Sequence, residues 1–273
     1  MAYKLLKSLE VVAISVLFVI LQNWANAKPQ VPCYFIFGDS LSDNGNNNNL
    51  STLAKVNYSP YGIDFPVGPT GRFSNGRTAV DFIAENLGFT SSMPPFAESQ
   101  GENILNGVNY ASGAAGIRDE TGKHLTLYNT GARKFAVYGL SLIGCAPFAI
   151  LEYGTNGSLC VDKLNNAAAH FNERLMPLVH QLNDDLPNAQ FTYLGPAPDS
   201  TTFVTNGSCC KIGGGGGELC LKNSKPCSNR RRFIFWDGYH PTEAWNEKVA
   251  ERAYSSESSL EANPFNIHKL AKL

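Results

Sequence analysis

The chain has 273 residues, 43% of them hydrophobic, with 22 Lys plus Arg against 23 Asp plus Glu. That length and apolar content suit one large folded α/β domain and exclude a disordered chain. A net charge of −1 excludes a global field that would draw the protein onto nucleic acid or an anionic membrane, so partner choice must come from a local site.

The first 27 residues read as a cleavable secretory signal. Lys4 and Lys7 supply positive charge, Val11 to Leu21 is an apolar run broken only by Ser15, and Ala25-Asn26-Ala27 is a small-x-small cleavage site. The run is shorter than the roughly 20 residues a membrane span needs. Export is expected, with no stable membrane insertion after cleavage and one domain over 28–273. All seven cysteines, at 33, 145, 160, 209, 210, 220 and 227, then meet an oxidising compartment and should form disulfides, the odd count leaving one unpaired. No CxxC spacing supports a metal site. Asn49, Asn57, Asn156 and Asn206 head glycan acceptor triplets.

Cys33 to Phe37 is a short apolar run that stops at Gly38-Asp39-Ser40, as a buried strand feeding a tight turn would. Ser40 thus falls at a strand's C-terminal end, the edge where open α/β sheets bind ligands. Val80, Ile83, Ala84 and Leu87 have helical spacing, and Gly88 stands where a left-handed cap would end the helix. Ile104 to Ala111 has weak strand character and runs into Ser112-Gly113-Ala114-Ala115-Gly116, whose small residues suit close backbone approach. Lys134 to Leu140 and Gln190 to Leu194 read as further strands. Between them the apolar positions from Leu164 to Leu182 mark a helix that Pro177 should kink. Gly207 to Cys227 reads as a loop tied by disulfides, and Arg230 to Arg232 as a solvated face. Pro241 at a first helical position and Glu243 in the first turn predict a helix from His240 to about Tyr254.

Two elements carry chemistry. Ser40 sits on a sharp turn after a strand, where its own N–H is free to face a developing oxyanion. Asp237-Gly238-Tyr239-His240 offers a base suited to neutral pH, with an aspartate three residues earlier to accept the Nδ1–H and leave Nε2 for the serine. Asn44, Asn47 and Asn109 carry amides that can also donate. His170 and His180 lie ten apart on one helix and do not converge.

Together these blocks resemble the plant GDSL-type esterases/lipases of the SGNH hydrolase superfamily. Phe37 to Asn48 is similar to the family's first block, Gly107 to Ile117 to its second and Trp236 to Glu243 to its last, while Tyr128 to Cys145 also follows its pattern. The resemblance implies a flavodoxin-like three-layer α/β/α sandwich around a mostly parallel sheet, with Ser40 as nucleophile, Asp237 and His240 completing the triad, and Ser40 and Gly113 giving oxyanion-hole N–H groups. It implies hydrolysis of a small-molecule or lipid ester by a secreted monomer that needs no cofactor or metal and binds no nucleic acid. One block is absent: the family carries a strand and a Gly-x-Asn-Asp motif before the segment matching Tyr128, whereas here Leu127 joins directly to Tyr128. The expectation is an α/β domain shortened near 127–128 and lacking one central strand, catalytically impaired or acting only by binding. A shorter gap is expected after Leu194.

Overall fold

The computed structural model describes residues 28–99, 101–116, 127–128, 130–196, 203–214 and 217–273. The signal of 1–27, the Leu125-Thr126 side of the shortened junction and most of the gap after Leu194 lie outside the described residues.

Three helices and a small sheet come from runs whose period fits them. Helix α1 (Ala79–Asn86) turns Phe82, Ile83 and Ala84 inward and ends at Leu87, before Gly88 at φ +91°. Strand β1 (Lys134–Tyr138) pairs in parallel with β2 (Gln190–Leu194), Lys134 opposite Gln190 through Tyr138 opposite Leu194. Between them run a short helix, α2 (Pro147–Tyr153), and the long helix α3 (Asp162–Asp185), which continues through Pro177 without a break.

Strand period places β2 between two helical layers. Phe191 and Tyr193 pack with Val179, Leu175, Leu182 and Met176 of α3. On the other face, Leu194 joins Phe82 and Ile83 of α1, Ala250 and Ala253 of α4 (Glu243–Ser255), and Ile267 and Ala271 of α5 (Ile267–Lys272). The architecture is therefore a three-layer α/β/α arrangement with a parallel-leaning sheet, closed at one edge by the short antiparallel strand β7 (Ala262–Asn263). Further short strands lie outside this sheet: β3 (Val204–Ser208) pairs with β6 (Phe233–Phe235), and β4 (Ile212–Gly214) with β5 (Leu219–Cys220). Disulfides Cys145–Cys160, Cys209–Cys227 and Cys210–Cys220 tie the loops, leaving Cys33 free.

Two expectations need correction. The 33–37 run forms no full strand, because its pairing with 106–110 is not continuous enough to make more than an isolated bridge. Tyr34 and Ile36 donate to the carbonyls of Asn106 and Val108, and Tyr110 donates back to Ile36, yet among the described residues the one bridge the run makes is Ile36 to Asn109. Among the described residues no bridge joins its other edge to β1. The helix expected from His240, α4, begins at Glu243: Pro241 bridges to Phe235, and the Thr242 hydroxyl caps the helix by accepting the Trp245 N–H. His240 is thereby left in a turn and not on a helix. Among the described residues no helix is long and apolar enough to cross a membrane.

Candidate active site

Ser40 occupies a tight turn built by Asp39, whose carbonyl accepts the Ser42 and Asp43 N–H groups at 3.1 and 3.0 Å and whose Oδ1 accepts the Leu41 N–H at 2.9 Å. Among the described residues the Ser40 N–H has no partner. The following polar loop is pinned from inside. Asp43, fully buried, accepts from the N–H groups of Gly45 at 2.8 Å and Asn46 at 2.9 Å. Burial pushes the Asp43 carboxyl above its ordinary range although these amides, with that of Gly113, pull it down.

The second block docks on this loop through amide side chains. Asn46 Nδ2 donates to the carbonyls of Asn109 and Ala111 at 2.8 and 2.7 Å, and Asn109 Nδ2 to that of Ser42 at 2.7 Å. Asn47 Nδ2 donates to Gly113 at 2.9 Å and Ala54 at 2.8 Å. Asn44 Nδ2 goes to the Met93 carbonyl at 2.7 Å. The amides of Asn44, Asn47 and Asn109, each able to donate to a substrate, are therefore all bound to backbone. Gly113 fits so closely that a Cβ there would stand 2.8 Å from Asn47 Nδ2 and 2.9 Å from the Phe73 ring. Its N–H, expected to face an oxyanion, instead donates to Asp43 Oδ2 at 2.8 Å, because a buried carboxylate recruits the nearest amide.

The other end of the site follows β6. Trp236, fully buried, donates its backbone N–H to the His240 carbonyl at 2.7 Å and closes a turn around Asp237. Asp237 Oδ1 accepts the Tyr239 and His240 N–H groups at 2.9 and 2.8 Å, and His240 Nδ1 lies 2.8 Å from Oδ2. Gly238 is required where it stands, since a Cβ would meet the Glu218 carbonyl at 2.7 Å. His240 is 6% exposed, with the Phe73 ring 4.7 Å from its imidazole. Its Nε2 lies 2.9 Å from Ser40 Oγ. With Nδ1–H donated to the carboxylate, Nε2 is left as acceptor for the serine O–H.

The fold thus brings Ser40, His240 and Asp237 into one hydrogen-bonded line and leaves Gly113 facing Asp43. His170 and His180 lie exposed on α3, away from this line. Sequence patterns miss three residues of the site. Tyr61 donates to Asp237, Phe73 packs on His240, and Asp43 organises the serine loop. A Tyr-x₂-Asp stretch at 61–64 followed by Phe73 carries no chemical signature, so only contact reveals it.

A family model, GDSL-like Lipase/Acylhydrolase, matches the chain in two stretches, 34–130 and 120–253, which meet where the sequence joins Leu127 to Tyr128. The Arabidopsis thaliana protein GDSL esterase/lipase At4g18970 is 37% identical over 344 aligned positions, covering 92% of this chain and 95% of the relative. GDSL esterase/lipase At1g29660 of the same plant is 38% identical, with 96% and 97% covered. Both alignments are longer than the 273-residue chain itself, so these relatives carry positions that have no counterpart here.

Proposed function

Because the chain belongs to the GDSL-like lipase/acylhydrolase family and is accordingly a serine hydrolase acting on esters, we propose that it works through an acyl-serine formed on Ser40. The observation that carries this reading is the 2.9 Å approach of His240 Nε2 to Ser40 Oγ, with Asp237 behind Nδ1. His240 takes the Ser40 proton as the oxygen attacks the ester carbonyl, and the imidazolium is stabilised by Asp237. The tetrahedral oxyanion meets the unpartnered Ser40 N–H. Collapse expels the alcohol, protonated by His240, and water repeats the sequence to release the acid.

Turnover is slow in this form. With the Gly113 N–H held by Asp43, the oxyanion lacks one donor, and a missing donor typically costs about 10²–10³ in kcat. The substrate is a small-molecule or lipid ester, cleaved by a monomer. We place the enzyme outside the cell, as domain 28–273 released from the signal of 1–27. Three disulfides suit an oxidising compartment, and Asn49, Asn57 and Asn156 of the glycan triplets are exposed.

The test is hydrolysis of nitrophenyl acetate beside labelling by a serine-directed fluorophosphonate, for wild type, Ser40→Ala and His240→Ala. Labelling and turnover should both vanish in Ser40→Ala. Unchanged activity there would remove the nucleophile assignment. A folded wild type that neither labels nor turns over would favour a protein acting by binding alone.

A further inference from the structure

Asp237 is held from two sides. Its Oδ1 receives the backbone N–H groups of its own turn, while its Oδ2 receives the hydroxyl of Tyr61 at 2.6 Å, from a residue 176 positions away. Tyr61 is 1% exposed, and its oxygen in turn accepts the Cys220 N–H at 3.0 Å. Burial first, and then the negative charge of Asp237, push the Tyr61 phenol far above its ordinary range. It stays protonated and can only donate to the carboxylate.

The surroundings hold this hydroxyl in place. The Tyr61 ring meets Phe73 and Trp236 edge-on, at 6.4 and 6.5 Å between centroids. Cys220 is bonded to Cys210, whose N–H donates to the Trp236 carbonyl at 2.9 Å, next to Asp237. The Cys210–Cys220 disulfide thereby fixes both the amide above Tyr61 and the turn that carries Asp237.

On the acyl-serine reading given above, we propose that Tyr61 is a positioning residue for the hydrolysis, acting through Asp237 on His240. A hydroxyl donated to one carboxylate oxygen fixes the carboxylate plane against the imidazole. It also spreads the carboxylate's charge, so that Asp237 holds the imidazolium proton less tightly. The other ionisable groups around the pair are Tyr58, Tyr239 and Glu218. Tyr58 donates to the Cys220 carbonyl at 3.1 Å and is raised by burial and by Asp237; Tyr239 is raised by burial and then by Glu218. None of the three side chains bonds Asp237, so the Tyr61 hydroxyl is the side-chain donor to be tested.

Tyr61→Phe keeps the ring and deletes the oxygen. Its expected effect is a fall in kcat of about ten- to hundredfold with KM nearly unchanged, together with movement of the acid limb of the kcat/KM profile to higher pH. Replacing Tyr61 by 3-fluorotyrosine, of nearly the same shape and a stronger donor, should move that limb to lower pH, and it tests the idea even if the Phe variant does not fold. An acid limb that stays put in both proteins overturns the proposal, as does a loss of activity that merely tracks a lowered Tm. Ser40→Ala, assayed alongside, separates the two ideas: if it retains turnover the acyl-serine reading fails, and if it is dead while both Tyr61 proteins match wild type only the positioning role fails.

Discussion

The Gly113 N–H donates to Asp43 Oδ2 across 70 positions of sequence, and this bond fastens the small-residue block to the loop that follows Ser40. Asp43 serves two further backbone amides from the same buried position. Asp43→Ala leaves three amides without their acceptor, each unsatisfied group costing about 1–3 kcal/mol. We expect a urea midpoint lowered by the equivalent of at least roughly 3 kcal/mol, the sum of the smallest costs. A midpoint within error of wild type would show that the loop is held by its asparagine contacts alone.

Arg72 grips Asp81 with two bonds, of 2.8 and 2.9 Å, where both side chains are nearly sealed from water. Asp81 also accepts the Thr78 N–H at the start of α1. Arg72→Met strands a buried carboxylate and should cost about 3–5 kcal/mol, read from denaturant unfolding.

The same pair sets an acid dependence. Burial alone would raise Asp81, but the bonds and charge of Arg72 outweigh it and hold the carboxyl below its ordinary range. A group depressed in the fold stabilises it above its unfolded value, about pH 4, and that contribution is lost as pH falls through the folded value. Asp64, paired with Arg230, acts in the same sense, whereas the raised Asp43 acts in the opposite one. The Tm difference between wild type and Asp81→Asn should be full at neutral pH and shrink on acidification below about pH 4, the unfolded carboxylate range. A difference independent of pH would contradict it.

Six cysteines are paired and Cys33 is not. Thiol titration of denatured, unreduced protein should count one thiol per chain, rising to seven after reduction. The double change Cys209→Ser, Cys227→Ser should cost about 2–4 kcal/mol, since both it and the neighbouring Cys210–Cys220 bridge pack against Trp236.

Strand β1 has the apolar sequence of an interior strand, yet none of its five residues is buried, whereas four of five are in β2. Among the described residues β1 pairs with β2 alone, and no bridge joins it to the 33–37 run. Inserting the unmatched segment of At1g29660 between Leu127 and Tyr128 should raise both Tm and esterase activity. Equal midpoints and equal cooperativity would remove the argument that the shortened sheet is weakened.

Local periodicity alone makes several elements legible: α1 from Val80, Ile83 and Leu87, α3 from its apolar stripe, and β2 to the residue. Ser40 and the Asp237–His240 pair are singled out by their likeness to the family's blocks, since a turn serine or a carboxylate three residues before a histidine is by itself a common local pattern. What stays hidden depends on partners distant in the chain. The 33–37 run has the composition of a strand, but a strand exists only where a continuous ladder forms, and here the pairing with 106–110 yields an isolated bridge at Ile36. Gly113 has the freedom that an oxyanion donor needs, but a buried carboxylate 70 positions earlier competes for its N–H. Tyr61 has no motif at all; only the packing of its loop against β5 and Trp236 brings its hydroxyl to Asp237. Sequence determines what each residue is able to donate, accept or bury, whereas tertiary structure decides which partner receives it, because hydrogen bonds act over about 3 Å and the chain must fold before such distances exist.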